Sequence, residues 1–429
     1  EEAARAIYDL PIADALPAVA DLSDRTNLTE PTWWRVVGAN YQLGTPENAA
    51  RIASIASRGN VPERIRIEAL GALEHWAEPS ERDRVLGDWR PVEKRPTEVA
   101  AQALPRALVG VFTGSDNLRK VGAQVAAKLG VKEVGPLLAQ LVSDAQRPAE
   151  VRAEAIRALQ ALKNPQLPEV VELGLKDDSP LVRAAALQAL ASEKPAEALP
   201  LLAKTLDEGS SYERQQAVDT LAAMKSPEAD KLLAQWFDRL LQGSVPPELH
   251  LDLLTAASKR DALKSQLEKY ESARAGNDPL GAWRETLRGG DAERGRRIFL
   301  ERAQVSCVRC HKVRGEGGDV GPDLSKLGRE KPREYLLESI VAPNAQIAKG
   351  FETAVVVTDE GKVYVGIVKK EDQNSVQLMT AEGKLIDVPK ASIEERTAGK
   401  SPMPEDLVKH LSKADLRDLV EFLASQTQQ

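Results

Sequence analysis

Cysteine is almost missing from this chain of 429 residues, which has only two, Cys307 and Cys310. Histidine is nearly as scarce: His75, His250, His311 and His410. A structural zinc site needs four such ligands, usually as two close pairs, and none of these histidines supplies a second pair at finger spacing. Aromatic residues make up 4% of the chain, while alanine and leucine abound, so helix should dominate. No apolar run is long enough for a membrane span, and no signal peptide is visible. The net charge of −7 argues against general nucleic-acid affinity. No Ser-His-Asp triad or metal-carboxylate cluster can be read in the N-terminal part.

Both cysteines lie in Cys307-Val308-Arg309-Cys310-His311. Cys-x-x-Cys-His is the attachment signature of a c-type haem. The two thiols add across the vinyl groups of one macrocycle, and the adjacent histidine ligates the iron from one face. A thioredoxin-like reading needs a βαβ context that the flanks lack, and a structural disulfide would not require the histidine. The expected cofactor is one covalent haem c.

The flanks carry their own signals. Upstream, Asp291 suits a helix N-cap, and Gly295 and Phe299 share one helix face. Downstream, Gly315-Glu316-Gly317-Gly318 and Gly321-Pro322-Asp323-Leu324 form a loop able to wrap a flat cofactor edge. These residues resemble class I cytochrome c from Gly290 to Ala424. The resemblance implies that the Gly295/Phe299 helix crosses a C-terminal helix bearing Leu419 and Phe422. It also implies that Pro322 orients the His311 ring through its backbone carbonyl, the kind of support metal-bound histidines usually need.

Three methionines exist: Met224, Met379 and Met403. Met403 sits between Pro402 and Pro404, which keep it out of a helix. Ser412-Lys413-Ala414-Asp415 then opens an amphipathic helix with a capping-box-like start. A Met-Pro before a closing helix resembles the place where class I cytochromes carry their axial methionine, so Met403 is the expected sixth ligand. Met379, His410 and an open position remain alternatives. A His/Met pair raises the iron's potential and closes its coordination sphere.

The interval between His311 and Met403 contains a segment of different character, about 351–397. Thr353–Thr358 and Val363–Val368 read as paired strands around the turn Asp359–Lys362. Ser375–Met379 and Lys384–Val388 read as a second hairpin around Ala381-Glu382-Gly383. With Ser339-Ile340-Val341-Ala342-Pro343-Asn344, this arrangement resembles the C-terminal haem-binding domain of many planctomycete and verrucomicrobial proteins. Packing lid or partner-docking face are both open roles for the insertion.

The N-terminal part repeats. Arg152–Leu159, Arg183–Leu190 and Arg214–Leu221 align at a period of 31 residues, with looser copies at Arg66–Leu73 and Arg119–Leu129. Second helices are expected at Val134–Leu141, Val170–Leu175, Leu199–Leu206 and Lys231–Leu240, with Pro148, Pro180 and Pro195 near helix starts. Such pairs bury their apolar faces only by stacking. They resemble short HEAT-like repeats. The recurrent arginine reads as structural, reaching acids or helix ends. Pro31–Val37 and Ala49–Ala56 read as one more pair, with Trp33, Trp34 and Trp236 in the core. Lys259–Ala275 reads as a charged helix or linker, and Trp283 as a docking residue.

The expected fold is therefore mainly α. A HEAT-like solenoid spans 1–276, a linker 277–289, and an all-α cytochrome c domain with a small antiparallel β insertion 290–429. The expected function is periplasmic electron transfer by the haem, held by Cys307, Cys310, His311 and Met403. The chain would not itself be catalytic; the repeats would position a redox partner or a fused dehydrogenase. The alternatives are an interaction scaffold with a sensory or structural haem, and a haem peroxidase. Between Gly290 and Lys349, twelve Lys/Arg face nine Asp/Glu, a net of +3 that could steer an acidic partner. Because c-type haem is attached outside the cytoplasm in the families resembled, the chain is expected to be exported, as a mature form or fragment. Proteins with such a tail often carry an upstream propeller resembling quinone-dependent sugar dehydrogenases.

Overall fold

The computed structural model describes every residue except Ala275, Asn277, Ala381, Glu382, Gln428 and Gln429. Two compact units are formed, Glu1–Thr220 and Leu221–Gln429.

The first unit is a stack of helix pairs. The three aligned repeats lie on helices that begin at Ala149, Pro180 and Ser211, so the sequence period of 31 is the structural period. Before and between them lie the helices Gly135–Ser143, Leu167–Gly174 and Pro195–Glu208. Pro180 and Pro195 occupy first-turn positions, where a missing N–H costs nothing. Pro148 is an N-cap. Buried alanines such as Ala153, Ala155, Ala185 and Ala189 let neighbouring helices approach closely. One hydrophobic cluster runs from Ala4 to Ala189, as expected when each pair completes its core on the next. The N-terminal pair is present as Glu30–Leu43 and Pro46–Ser57. Trp33 is fully buried there, whereas Trp34 is half-buried.

The recurrent arginine is a structural clamp. Arg66 donates to the carbonyls of Ala56 and Gly110, at 2.9 and 2.8 Å. Arg119 reaches Phe112 O at 2.7 Å, and Arg214 reaches Asp207 O at 2.6 Å. Arg152 pairs with Asp177. Arg183 donates to Glu213 at 2.8 Å and to the carbonyls of Asp177 and Asp178. Each guanidinium satisfies carbonyls left over at helix ends and turns, which otherwise would need water.

In the second unit, Pro227–Leu241, His250–Ser258 and Lys264–Ser272 are helices. Trp236 is buried on the first, and the last buries no residue, in line with its charge. The helices Ala292–Glu301, Arg333–Val341 and Lys413–Ala424 follow, with short turns at Cys307–Cys310 and Leu327–Glu330. Their core joins Phe299, Leu336, Leu337, Leu416, Leu419, Val420 and Phe422. Trp283 lies half-buried against it, with Lys413 Nζ 5.7 Å from the ring centroid.

A two-stranded ribbon, β1 (Lys312–Val313) and β2 (Glu316–Gly317), follows the cysteine turn. The insertion is an antiparallel sheet of β3 (Thr353–Thr358), β4 (Val363–Glu371), β5 (Ser375–Met379), β6 (Leu385–Pro389) and β7 (Ile393–Ala398), in the order β6-β5-β4-β3-β7. Both expected hairpins are present. The first closes with Thr358 N–H donating to Lys362 O at 2.9 Å. Of the second turn, Ala381 and Glu382 lie outside the described residues; Gly383 adopts φ +80°. Sequence reasoning missed β7. Its residues Ile-Glu-Glu-Arg-Thr-Ala are nearly all exposed, so it lacks the alternation that marks a half-buried strand. Backbone pairing with β3 makes it a strand, and its charges suit a sheet edge.

Candidate haem site

Two helices frame the site. Asp291 caps Ala292–Glu301 by accepting from Arg294 N–H at 2.9 Å. Ser412 and Asp415 form a full capping box on Lys413–Ala424. The helices cross at Gly295, where a Cβ would stand 2.0 Å from Asp418 O. Only glycine permits this approach. One turn on, Phe299 meets Phe422 at 5.5 Å between ring centroids. Asp418 accepts from Asp291 N–H and Arg294 Nε, both at 2.8 Å. The crossing expected at Gly295, Phe299, Leu419 and Phe422 is thus formed.

The cysteines sit on one short turn, Cys307–Cys310, which His311 leaves in extended conformation. The glycine-rich loop folds back onto this turn. Gly318 N–H donates to Val308 O at 2.9 Å, and Gly321 N–H to Cys310 O at 2.7 Å. A Cβ on Gly321 would lie 2.7 Å from His311 Cε1, so glycine lets the loop press against the ring. Next to it, the Pro322 carbonyl stands 3.0 Å from His311 Nδ1. A carbonyl can only accept, so Nδ1 carries the proton and Nε2 presents its lone pair. Burial lowers the basicity of His311, opposed by the Pro322 hydrogen bond. Burial also pushes the Cys307 thiol up to about 11. A neutral imidazole with one nitrogen locked and the other free is what an iron ligand requires.

Met403 is half-buried and packs on the same hydrophobic cluster as Cys307, Val308 and Leu407. Its loop is tied down by Asn344. Asn344 Oδ1 accepts from Ser401 N–H at 2.7 Å, and its amide nitrogen donates to Glu405. Ser401 Oγ in turn accepts from Met403 N–H at 3.2 Å. Sequence reasoning gave Asn344 no such role. Its place in Ala-Pro-Asn, just past a helix end, was the available signal. Met379 is buried in β5, and Met224 is buried just past the end of the helix Ser211–Ala223. His410 ends a short turn and is exposed. Cys307 and Met403 thus pack on one core, Cys310, which is exposed, and His311 follow Cys307 on and after one turn, and Pro322 touches His311, while the other methionines and His410 lie in other settings.

Two family matches accompany this geometry. Residues 107–191 and 167–239 match HEAT repeats, and residues 292–376 match cytochrome c. The chain carries a cytochrome c domain. Its cofactor is covalently bound haem c. The scaffold ahead of it carries HEAT repeats. No curated protein matches the chain. Among solved structures, human deoxyhypusine hydroxylase in complex with glycerol is similar at 16% identity, covering 57% of this chain and 96% of that one, with a TM-score of 0.27. Among the described residues, no helix is long and apolar enough to cross a membrane.

Proposed function

We propose that this chain is an exported electron-transfer protein. In this reading residues 1–276 are the scaffold, 277–289 a linker and 290–429 the redox module. The observation that carries it is the hydrogen bond between His311 Nδ1 and the Pro322 carbonyl, beside two thiols on a single turn. When bound, haem supplies one-electron exchange between ferrous and ferric iron. Cys307 and Cys310 would anchor it, His311 would present Nε2 to the iron, and Met403 would take the opposite side. Pro322 fixes the histidine tautomer, and Asn344 holds the Met403 loop. A closed coordination sphere leaves no position for peroxide or oxygen chemistry.

The inserted sheet supports likeness to the planctomycete and verrucomicrobial C-terminal haem-binding type. The electron donor in this reading is a partner or fused dehydrogenase positioned by the repeats, and the location is periplasmic. The net positive stretch Gly290–Lys349 would attract an acidic partner face.

The test is the visible spectrum of protein matured with covalent haem, oxidised and reduced, with and without carbon monoxide. Sharp c-type bands unchanged by carbon monoxide are expected. A carbon monoxide shift would refute the closed site and favour a sensory haem or a peroxidase. Met403→Ala should abolish the ferric methionine-to-iron charge-transfer band at the red end of the spectrum.

A further inference from the structure

The inserted sheet carries apolar residues on both faces, the second bordered by Gln377, Asp387 and Glu395. Cross-strand partners share a face. On one side Ala354, Val356, Val376, Leu378 and Val388 form the sheet's own small core. On the other, the pairings Thr353↔Ile367, Val355↔Val365, Val357↔Val363, Ile367↔Met379 and Met379↔Leu385 align a second apolar set. Part of that face is open: Val363 is 59% exposed, Val365 54% and Leu385 58%, while Ile367 and Met379 beside them are buried. An antiparallel sheet normally turns polar residues to water on its outer face. An apolar patch of this kind calls for a cover.

The second observation is a cavity of about 490 Å³ against this face, within the size range of small-molecule sites. Its sheet wall includes Val363, Val365, Ile367 and Met379; its other walls include Val320 and Pro402. Val320 directly precedes the Gly321-Pro322 pair that touches His311, and Pro402 directly precedes Met403. The cavity thus bridges the segment on the histidine side and the segment on the methionine side. Cys307, Cys310, His311 and Met403 themselves do not line it. The third observation is Thr380, which also lines the cavity. Its hydroxyl is shielded from solvent and has no hydrogen-bond partner among the described residues. Such an orphan is destabilising unless something satisfies it. Lys400 adds a positive charge to the cavity's lining, with its ammonium 3.8 Å from Glu405.

We propose that this outer sheet face is a wall of the haem crevice, covering the haem edge remote from the thioethers, with Thr380 and Lys400 facing its carboxylates. The inference rests on the haem reading above. In haem, the vinyl-derived positions and the two carboxylate side chains occupy opposite edges. An edge away from Cys307 and Cys310 is therefore the carboxylate edge. It offers acceptors to the Thr380 hydroxyl and negative charge to Lys400, while the macrocycle covers Val363 and Val365. The insertion is then part of the cofactor site, and a redox partner must approach elsewhere.

The experiment is methyl NMR on the full chain matured with covalent haem, in the diamagnetic ferrous state, with labelled valine and threonine. Val363→Ile and Val365→Ile assign the two valines. The expected result is displacement of the Val363 and Val365 methyl signals by the haem ring current, and cross-peaks from Thr380 to the carboxylate-bearing side chains. Unshifted methyls with no haem cross-peaks, in protein whose mass and spectrum prove attachment, would overturn the proposal. Shifts that follow protein concentration would assign the face to a second copy and overturn it equally. Protein that acquires no haem would instead sink the functional reading beneath it.

Discussion

Arg417 and Asp252 form the buried ion pair that most directly tests how the redox module is held. Arg417 lies on the C-terminal cytochrome helix and Asp252 on the helix His250–Ser258. Their side chains are each 8% exposed, and Nη1 stands 2.8 Å from Oδ2. The Arg417 Nε has no partner among the described residues, so the pair is imperfectly satisfied. Removing one member strands the other charge in a poorly hydrated place, at a cost of about 3–5 kcal/mol. For a unit of this size that corresponds to roughly 2–4 °C of melting temperature per kcal/mol. Asp252→Ala and Arg417→Ala should each therefore lower the second unit's melting temperature by roughly 6–20 °C. Replacing both, Asp252→Leu with Arg417→Met, removes the charge and its desolvation together. The double variant should lie within about 1 kcal/mol of the parent, or above it. The assay is denaturant and thermal unfolding of the haem-loaded chain, arranged as a double-mutant cycle. Single variants as stable as the parent, or a double variant as unstable as the sum of the two, would refute the reasoning.

Three further outcomes follow from the geometry. Gly295→Ala gains about 1 kcal/mol of helix propensity. It also drives a methyl to 2.0 Å from Asp418 O, and the helices must part. The net should be a loss of about 1–3 kcal/mol in denaturant melts; a stabilised variant would contradict the crossing. Asn344→Ala frees Ser401 N–H and Glu405, so carbon monoxide, which should leave the parent's ferrous spectrum unchanged, should shift that of the variant as the Met403 loop loosens. A variant spectrum as indifferent to carbon monoxide as the parent's would show that the loop is held by other contacts. Asp415 is opposed by burial, which alone would raise its pKa, but the Arg302 and Ser412 hydrogen bonds hold it below the ordinary carboxylate value. Its contribution is thus complete above the unfolded value of about 4 and lost as pH falls through the lower folded value. Asp415→Asn should flatten that acid limb of the stability profile, and an unchanged limb would place the proton elsewhere.

Chemistry that depends on neighbouring residues was legible without coordinates. Cys307 to His311 carries its meaning in covalent spacing, because two sulfurs and one imidazole must reach a single macrocycle. The 31-residue period was legible because each repeat solves the same packing problem, so the same residue types return. Asp291 and Ser412 were legible as caps because an N-cap satisfies donors within three residues. β7 was not, since an exposed charged strand carries no apolar alternation and owes its conformation to β3.

Tertiary structure decided everything that joins residues distant in the chain. Only folding places the Pro322 carbonyl on His311 Nδ1, sets Gly295 against Asp418 O and ties Ser401 and Glu405 to Asn344. Only strand register reveals that the exposed Val363 and Val365 share a face with the buried Ile367 and Met379, beside Val320 and Pro402. The sequence by itself determined that a haem c domain follows helical repeats, because those signals are local or periodic. The surroundings of the haem arise from long-range approach, where the geometry of contact, and not residue order, fixes which atoms meet.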